Sequence, residues 1–104
     1  MHQYKNLYND LAKKQPSVIA KYRGEVTLSA SNWNTVLFDL SDVPNLGLFA
    51  GYVINAQLFN VNNARLSAPY ITTLDDRNKT IVVRLYNNES ANAVASIMLS
   101  LLKL

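Results

Sequence analysis

From residue 26 onward, apolar and polar residues alternate in short runs, and each run ends in a cluster of Gly, Pro, Asn, Asp or Ser. Successive side chains of an extended chain point to opposite faces, so this period of two specifies half-buried strands, and frequent turn signals specify antiparallel pairing. The runs fall at 26–29, 33–41, 52–61, 70–74, 80–87 and 94–103. Six short strands with turns between them predict an all-β antiparallel β-sandwich, jelly-roll-like in arrangement. A chain of 104 residues with 49% hydrophobic content has material for one such core.

Alternation also assigns faces. Val36, Phe38 and Leu40 share one side of the second run, with Leu37 and Asp39 on the other. Tyr52, Ile54, Ala56 and Leu58 point inward from the third, opposite Val53, Asn55, Gln57 and Phe59. Residues 70–74 and 80–87, joined by "DDRNK", read as a hairpin. Ala95, Ile97, Leu99 and Leu101 face inward from the last run, Ser96 and Ser100 outward. "VASIMLSLLKL" also satisfies helical spacing at Val94, Ile97, Met98 and Leu101, but a strand paired with 80–87 completes a sheet and is the expected form. Between the second and third runs, Leu46, Leu48 and Phe49 are too apolar to lie free and are expected to fold back over an open end of the sheets.

The first 23 residues differ. Tyr4, Leu7, Tyr8 and Leu11 follow the i, i+3, i+4, i+7 pattern of one helix face, Lys13 and Lys14 suit its C-terminal end, and Pro16 closes it. A short N-terminal α-helix is therefore expected. Three turns do not persist alone in water, so the stripe packs on its own domain or on the same stripe of other copies. Gly24 marks a turn, which divides the chain into a basic segment 1–23, for oligomerisation or docking, and a sandwich domain 24–104. The segment carries Lys5, Lys13, Lys14, Lys21 and Arg23 against Asp10, a net +4, and the remainder sums to −1. With Tyr4, Tyr8 and Tyr22 interleaved, these cations admit a small basic nucleic-acid-associated protein as a third reading, but a helix with a solvated cationic back explains the same residues.

Little in the sequence suggests catalysis. There is no cysteine, which excludes disulfides and thiol chemistry, and His2 is the single histidine. Asp75 and Asp76 read as turn residues, Asp39 and Asp42 match no calcium-loop spacing, and three glycines make no phosphate cradle. The expectation is a protein that is not an enzyme and uses no cofactor or metal. No apolar run reaches membrane-spanning length, and the N-terminus lacks the apolar centre of a secretory signal. Charged residues make up 16%, whereas asparagine occurs thirteen times, so amides and hydroxyls must keep the surface wet. Aromatic side chains at Trp33, Tyr70 and Tyr86 stack on sugar rings if exposed, with amides at Asn32, Asn34, Asn62, Asn63, Asn87 and Asn88 to bond hydroxyls. Trp33, the lone tryptophan, is also placed to anchor the sandwich edge under Leu46, Leu48 and Phe49, and that buried role is the expected one.

"EVTLSASNWNTVLFDLSDV" resembles the opening of small β domains in bacteriophage tail and tail-fibre-associated proteins, and "TIVVRLYNNESANAVASIMLSLL" is similar to their closing strand, turn and final strand. The likeness spans residues 25–104, with the matching residues at its two ends. The middle, "NLGLFAGYVINAQLFNVNNARLS", replaces a shorter Pro- and Ala-rich link, and the N-terminal helix is an addition. The resemblance implies a virion structural protein, made in the host cytoplasm, that acts in assembly or host-surface binding. It further implies a homo-oligomer, commonly a trimer, with other virion proteins and a cell-surface saccharide as partners. A carbohydrate-binding module of non-viral origin is the alternative, and neither nucleic acid nor membrane is an expected partner.

Overall fold

A computed structural model describes residues 18–59 and 64–104. The expected N-terminal helix and its stripe of Tyr4, Leu7, Tyr8 and Leu11 lie outside the described residues. Six strands follow in order: β1 (Val18–Leu28), β2 (Asn32–Asp39), β3 (Tyr52–Phe59), β4 (Tyr70–Asp75), β5 (Thr80–Asn87) and β6 (Ala93–Lys103). They form two antiparallel three-stranded sheets, β1-β6-β3 and β2-β5-β4. Of the five connections, β4–β5 alone stays within one sheet.

One core lies between the sheets. Ala95, Ile97, Leu99 and Leu101 of β6 meet Val36 and Phe38 of β2 and Ile81, Val83 and Leu85 of β5, with Leu28, Leu40 and Phe49 at the margins. Val36, Phe38 and Leu40, the face of Ile81, Val83 and Leu85, and Ala95, Ile97, Leu99 and Leu101 are sets that alternation assigns to one side, and Tyr52, Ile54, Ala56 and Leu58 pack against them partly buried. Burying each Leu, Ile, Val or Phe contributes roughly 1.5–3 kcal/mol, and the central strands β5 and β6 supply most of the fully buried ones.

The last run is a strand, as expected, but it does not pair with 80–87. β5 joins β2 and β4, whereas β6 joins β1 and β3, so residues 88–92 cross from one sheet to the other. Asn87 shows why. Its buried amide Nδ2 donates to Leu28 O in the opposite sheet (3.0 Å) and to Ala91 O (3.2 Å), and its Oδ1 accepts from Glu89 N (2.9 Å). An inward-facing amide at the end of β5 thereby ties the sheets together and bends the chain across.

Gly24 is not a turn. β1 continues through it with a register shift between Arg23 and Val26, where Glu25 adopts a positive φ of 54°. The boundary expected at 23/24 therefore falls inside this strand. Lys21 and Arg23 have inward parity, yet β1 is an edge strand and their heads escape over its rim. Lys21 Nζ reaches Asp42 at 2.6 Å, and Arg23 donates to Leu37 O on the edge of β2 at 2.7 Å. Inward charges of this kind also block further strand pairing.

At the other end, Phe49 does fold back. It is buried, its N–H donates to Asp76 Oδ1 at 2.7 Å, and Lys79 Nζ lies 5.4 Å from its ring centroid. Leu46 packs against the core, but Leu48 is 66% exposed.

Candidate functional site on the outer face of the β2-β5-β4 sheet

Side chains that point away from the core leave this sheet with Trp33, Thr35, Leu37 and Asp39 on β2 opposite Tyr86, Arg84, Val82 and Thr80 on β5. Tyr70 of β4 lies opposite Arg84 on the other side. Directly paired residues and their diagonal neighbours are within reach of large side chains, so the indole of Trp33 extends across β5. Its ring centroid lies 5.3 Å from that of Tyr86 at 69° and 5.9 Å from that of Tyr70 at 90°, both edge-on. Arg84 Cζ sits 5.0 Å from the Trp33 ring centroid. Such aromatic pairs contribute about 0.5–1.5 kcal/mol each, and a cation over an indole about 0.5–2 kcal/mol.

Trp33 is thus not the buried anchor expected at the sandwich edge. It is 46% exposed and Tyr70 44%. The residues expected to cover it lie elsewhere. Phe49 contacts Asp76 and Lys79 beside the β4–β5 turn, whereas Trp33 pairs with Tyr86 at the far end of β5.

The platform is held by the loops at its own end. Ser67 grips Tyr86 through two bonds, Ser67 N to Tyr86 O (2.9 Å) and Tyr86 N to Ser67 Oγ (2.7 Å). The β1–β2 turn before Trp33 is pinned by Asn34, whose Oδ1 accepts from Ser29 N at 2.7 Å and whose Nδ2 donates to Ser29 O at 3.2 Å. Ser31, at a positive φ of 49°, donates from its N–H to Glu89 O at 2.9 Å, and Ala30 N donates to Asn92 Oδ1 at 3.0 Å. Glu89 in turn accepts from Arg65 N (2.9 Å) and Nε (3.2 Å). The backbone N–H of Arg65, foremost, holds the Glu89 carboxyl below its ordinary value.

Of the residues singled out for ligand binding, Trp33, Tyr70 and Tyr86 come together on one face, from three strands. Asn62 and Asn63 lie outside the described residues. Asn34 and Asn87 serve the fold and not a ligand, because their amides are bonded to backbone. Arg84 was not anticipated. It stands two residues before Tyr86 in "RLY", which in a strand puts both on one side, so the period that placed Tyr86 also places the guanidinium. Arg84 Nε is shielded from solvent with no hydrogen-bond partner, and among the described residues Arg84 forms no ion pair. The face therefore offers two half-exposed rings, two phenol hydroxyls and a cation with no counter-charge among the described residues, groups that stack on and hydrogen-bond a ligand.

These features define a small two-sheet antiparallel β domain with an aromatic outer face. No protein-family model matches the chain, and no curated protein or solved structure shows significant similarity to it.

Proposed function

We propose that this chain is a non-enzymatic, host-surface-binding component of a phage particle, a tail, baseplate or head-appendage module with a jelly-roll-like sandwich. It holds a surface saccharide against Trp33, Tyr70, Tyr86 and Arg84. The observation that carries the binding role is the convergence of three aromatic side chains on a solvent-facing sheet, with Trp33 and Tyr70 nearly half exposed. Covering apolar ring surface of this kind removes it from water, which is favourable, and the C–H face of a sugar ring is a fitting cover. The particle role is supported by the resemblance of residues 25–104 to phage tail-associated domains. A saccharide-binding module of non-viral origin is the second reading, favoured by the same platform without the particle.

Trp33→Ala tests the site. On a glycan array the wild-type chain is expected to retain a defined set of saccharides, and Trp33→Ala, shown to be folded by far-UV circular dichroism, to lose them. An array on which both proteins bind alike, or neither binds, refutes saccharide recognition here. Antibody labelling of phage particles from the source culture separates the two readings, since the non-viral module leaves the particles unlabelled.

A further inference from the structure

The other sheet turns a different surface to solvent. Across β1, β6 and β3 the outward residues form rows: Val18–Leu102–Val53, Ala20–Ser100–Asn55 and Tyr22–Met98–Gln57. Phe59 beside Ser96 and Thr27 beside Val94 extend the pattern. No residue in these rows is charged, whereas the opposite face of the molecule carries Asp39 and Arg84. Val18, Tyr22 and Val53 are each more than half exposed, and Val94 and Leu102 only somewhat less. At one end Tyr22 and Phe59, with ring centroids 5.0 Å apart, close over Ser96, which is 2% exposed despite facing outward.

We infer that two copies of this chain pack together through this face, sheet against sheet. Charge and shape both point to a second copy. A surface without charge is matched by a partner surface without charge, and this face itself is one. Its rows also alternate in height: the ridge Val18–Leu102–Val53 lies beside the valley Ala20–Ser100–Asn55, at about 6.6 Å, twice the strand rise. Turned about a two-fold axis, the ridge of each copy enters the valley of the other, the reciprocal contact that a symmetric dimer requires. Three strands about 4.8 Å apart and some nine residues long give a face of roughly 15 by 30 Å. Two such faces bury about 1,000 Å², the lower bound for a specific association, and the dimer is expected to be a weak, reversible one. This pairing does not depend on the saccharide reading, which concerns the opposite sheet.

Sedimentation equilibrium of the full chain from about 5 to 500 μM is the test. The wild type is expected to pass from one to two chains over that range. Asn55→Lys and Ser100→Lys, each placing a cation in the valley, are expected to weaken the dimer at least tenfold, with an unchanged thermal midpoint at concentrations where the wild type is monomeric. Thr73→Lys, on the other sheet, is expected to leave it intact. A monomer at every concentration, a limiting mass of three chains, or a dimer indifferent to both valley variants overturns the inference. So does a dimer abolished by Leu7→Asp with Leu11→Asp but not by Asn55→Lys, since the N-terminal segment then makes the contact.

Discussion

Replacing Asn87 with alanine removes a buried amide that joins the two sheets. Its three hydrogen bonds run to Leu28 O, Ala91 O and Glu89 N. A neutral hydrogen bond contributes about 1 kcal/mol net, and a buried group left without its partner costs about 1–3 kcal/mol. The carbonyl of the fully buried Leu28 is the group that water reaches least, whereas Ala91 and Glu89 lie nearer the surface and regain solvent partners. Asn87→Ala is therefore expected to lose about 2–4 kcal/mol, a large share of the roughly 5–15 kcal/mol by which a domain is stable. At about 4–8 °C per kcal/mol for a domain of this size, the melting temperature falls by some 10–25 °C. Urea unfolding followed by Trp33 fluorescence measures the loss, with an unchanged slope confirming that the same surface is exposed. Asn88→Ala is the control: the neighbouring side chain is exposed, and its effect is expected within about 0.5 kcal/mol. A loss below about 1 kcal/mol for Asn87→Ala would refute the role of this amide as the tie between sheets.

Two further outcomes follow from other contacts. A Cβ at Gly24 would lie 2.7 Å from Tyr22 Oη and 2.9 Å from Cε1, so Gly24→Ala must push the phenol off Ser96 and Phe59. The expected cost is about 1 kcal/mol, read by chemical denaturation and smaller when the same change is made in Phe59→Ala, where the Ser96 contact alone is left to lose. The carboxyls of Asp39, Asp75 and Glu89 all lie below their ordinary values, held there first by backbone N–H donors from Ser41, Asn78 and Arg65 respectively. A lowered folded-state value means that stability from these groups is present above the unfolded carboxylate range, about pH 4. It is lost as pH falls through the folded values. Thermal midpoints are expected to drop between about pH 4 and 2, with a smaller drop in Asp75→Asn, whose neutral amide no longer titrates.

Strand positions and inward faces were legible because both central strands alternate strictly, as in Ile81, Val83 and Leu85 or Ile97, Leu99 and Leu101. Strand partners were less so. Pairing of consecutive strands is the usual outcome, but four of the five connections here cross between sheets. At the β5–β6 crossing the amide that ties the sheets has its inward direction set by parity, whereas its acceptor, Leu28 O, lies 59 residues away. The start of β1 was hidden for a related reason. Its outward residues, Val18, Ala20 and Tyr22, are apolar, and its inward positions include Lys21 and Arg23, so the hydrophobic pattern runs opposite to the usual sense. The aromatic platform was half visible. Trp33, Tyr70 and Tyr86 could be named as candidates, but their meeting depends on the register of three strands, and a lone tryptophan at a strand start suggested burial.

The placing of β6 bears on how the chain reaches this state. Among the described residues β1 and β3 share no ladder with each other, and each pairs with β6 alone, Val18 with Leu102 and Tyr52 with Lys103. On a growing chain the β4–β5 hairpin and β2 can assemble early, since all three strands are complete by Asn87, before β6 is made. β1 and β3 have no strand partner in their own sheet until the final residues of β6 leave the ribosome. The β1–β6 ladder pairs the residues farthest apart in the chain, and closing that loop before any contact repays it slows the second sheet. Until then the uncharged outer rows and the unpaired edges of β1 and β3 are exposed together, the interval in which this protein is most open to aggregation.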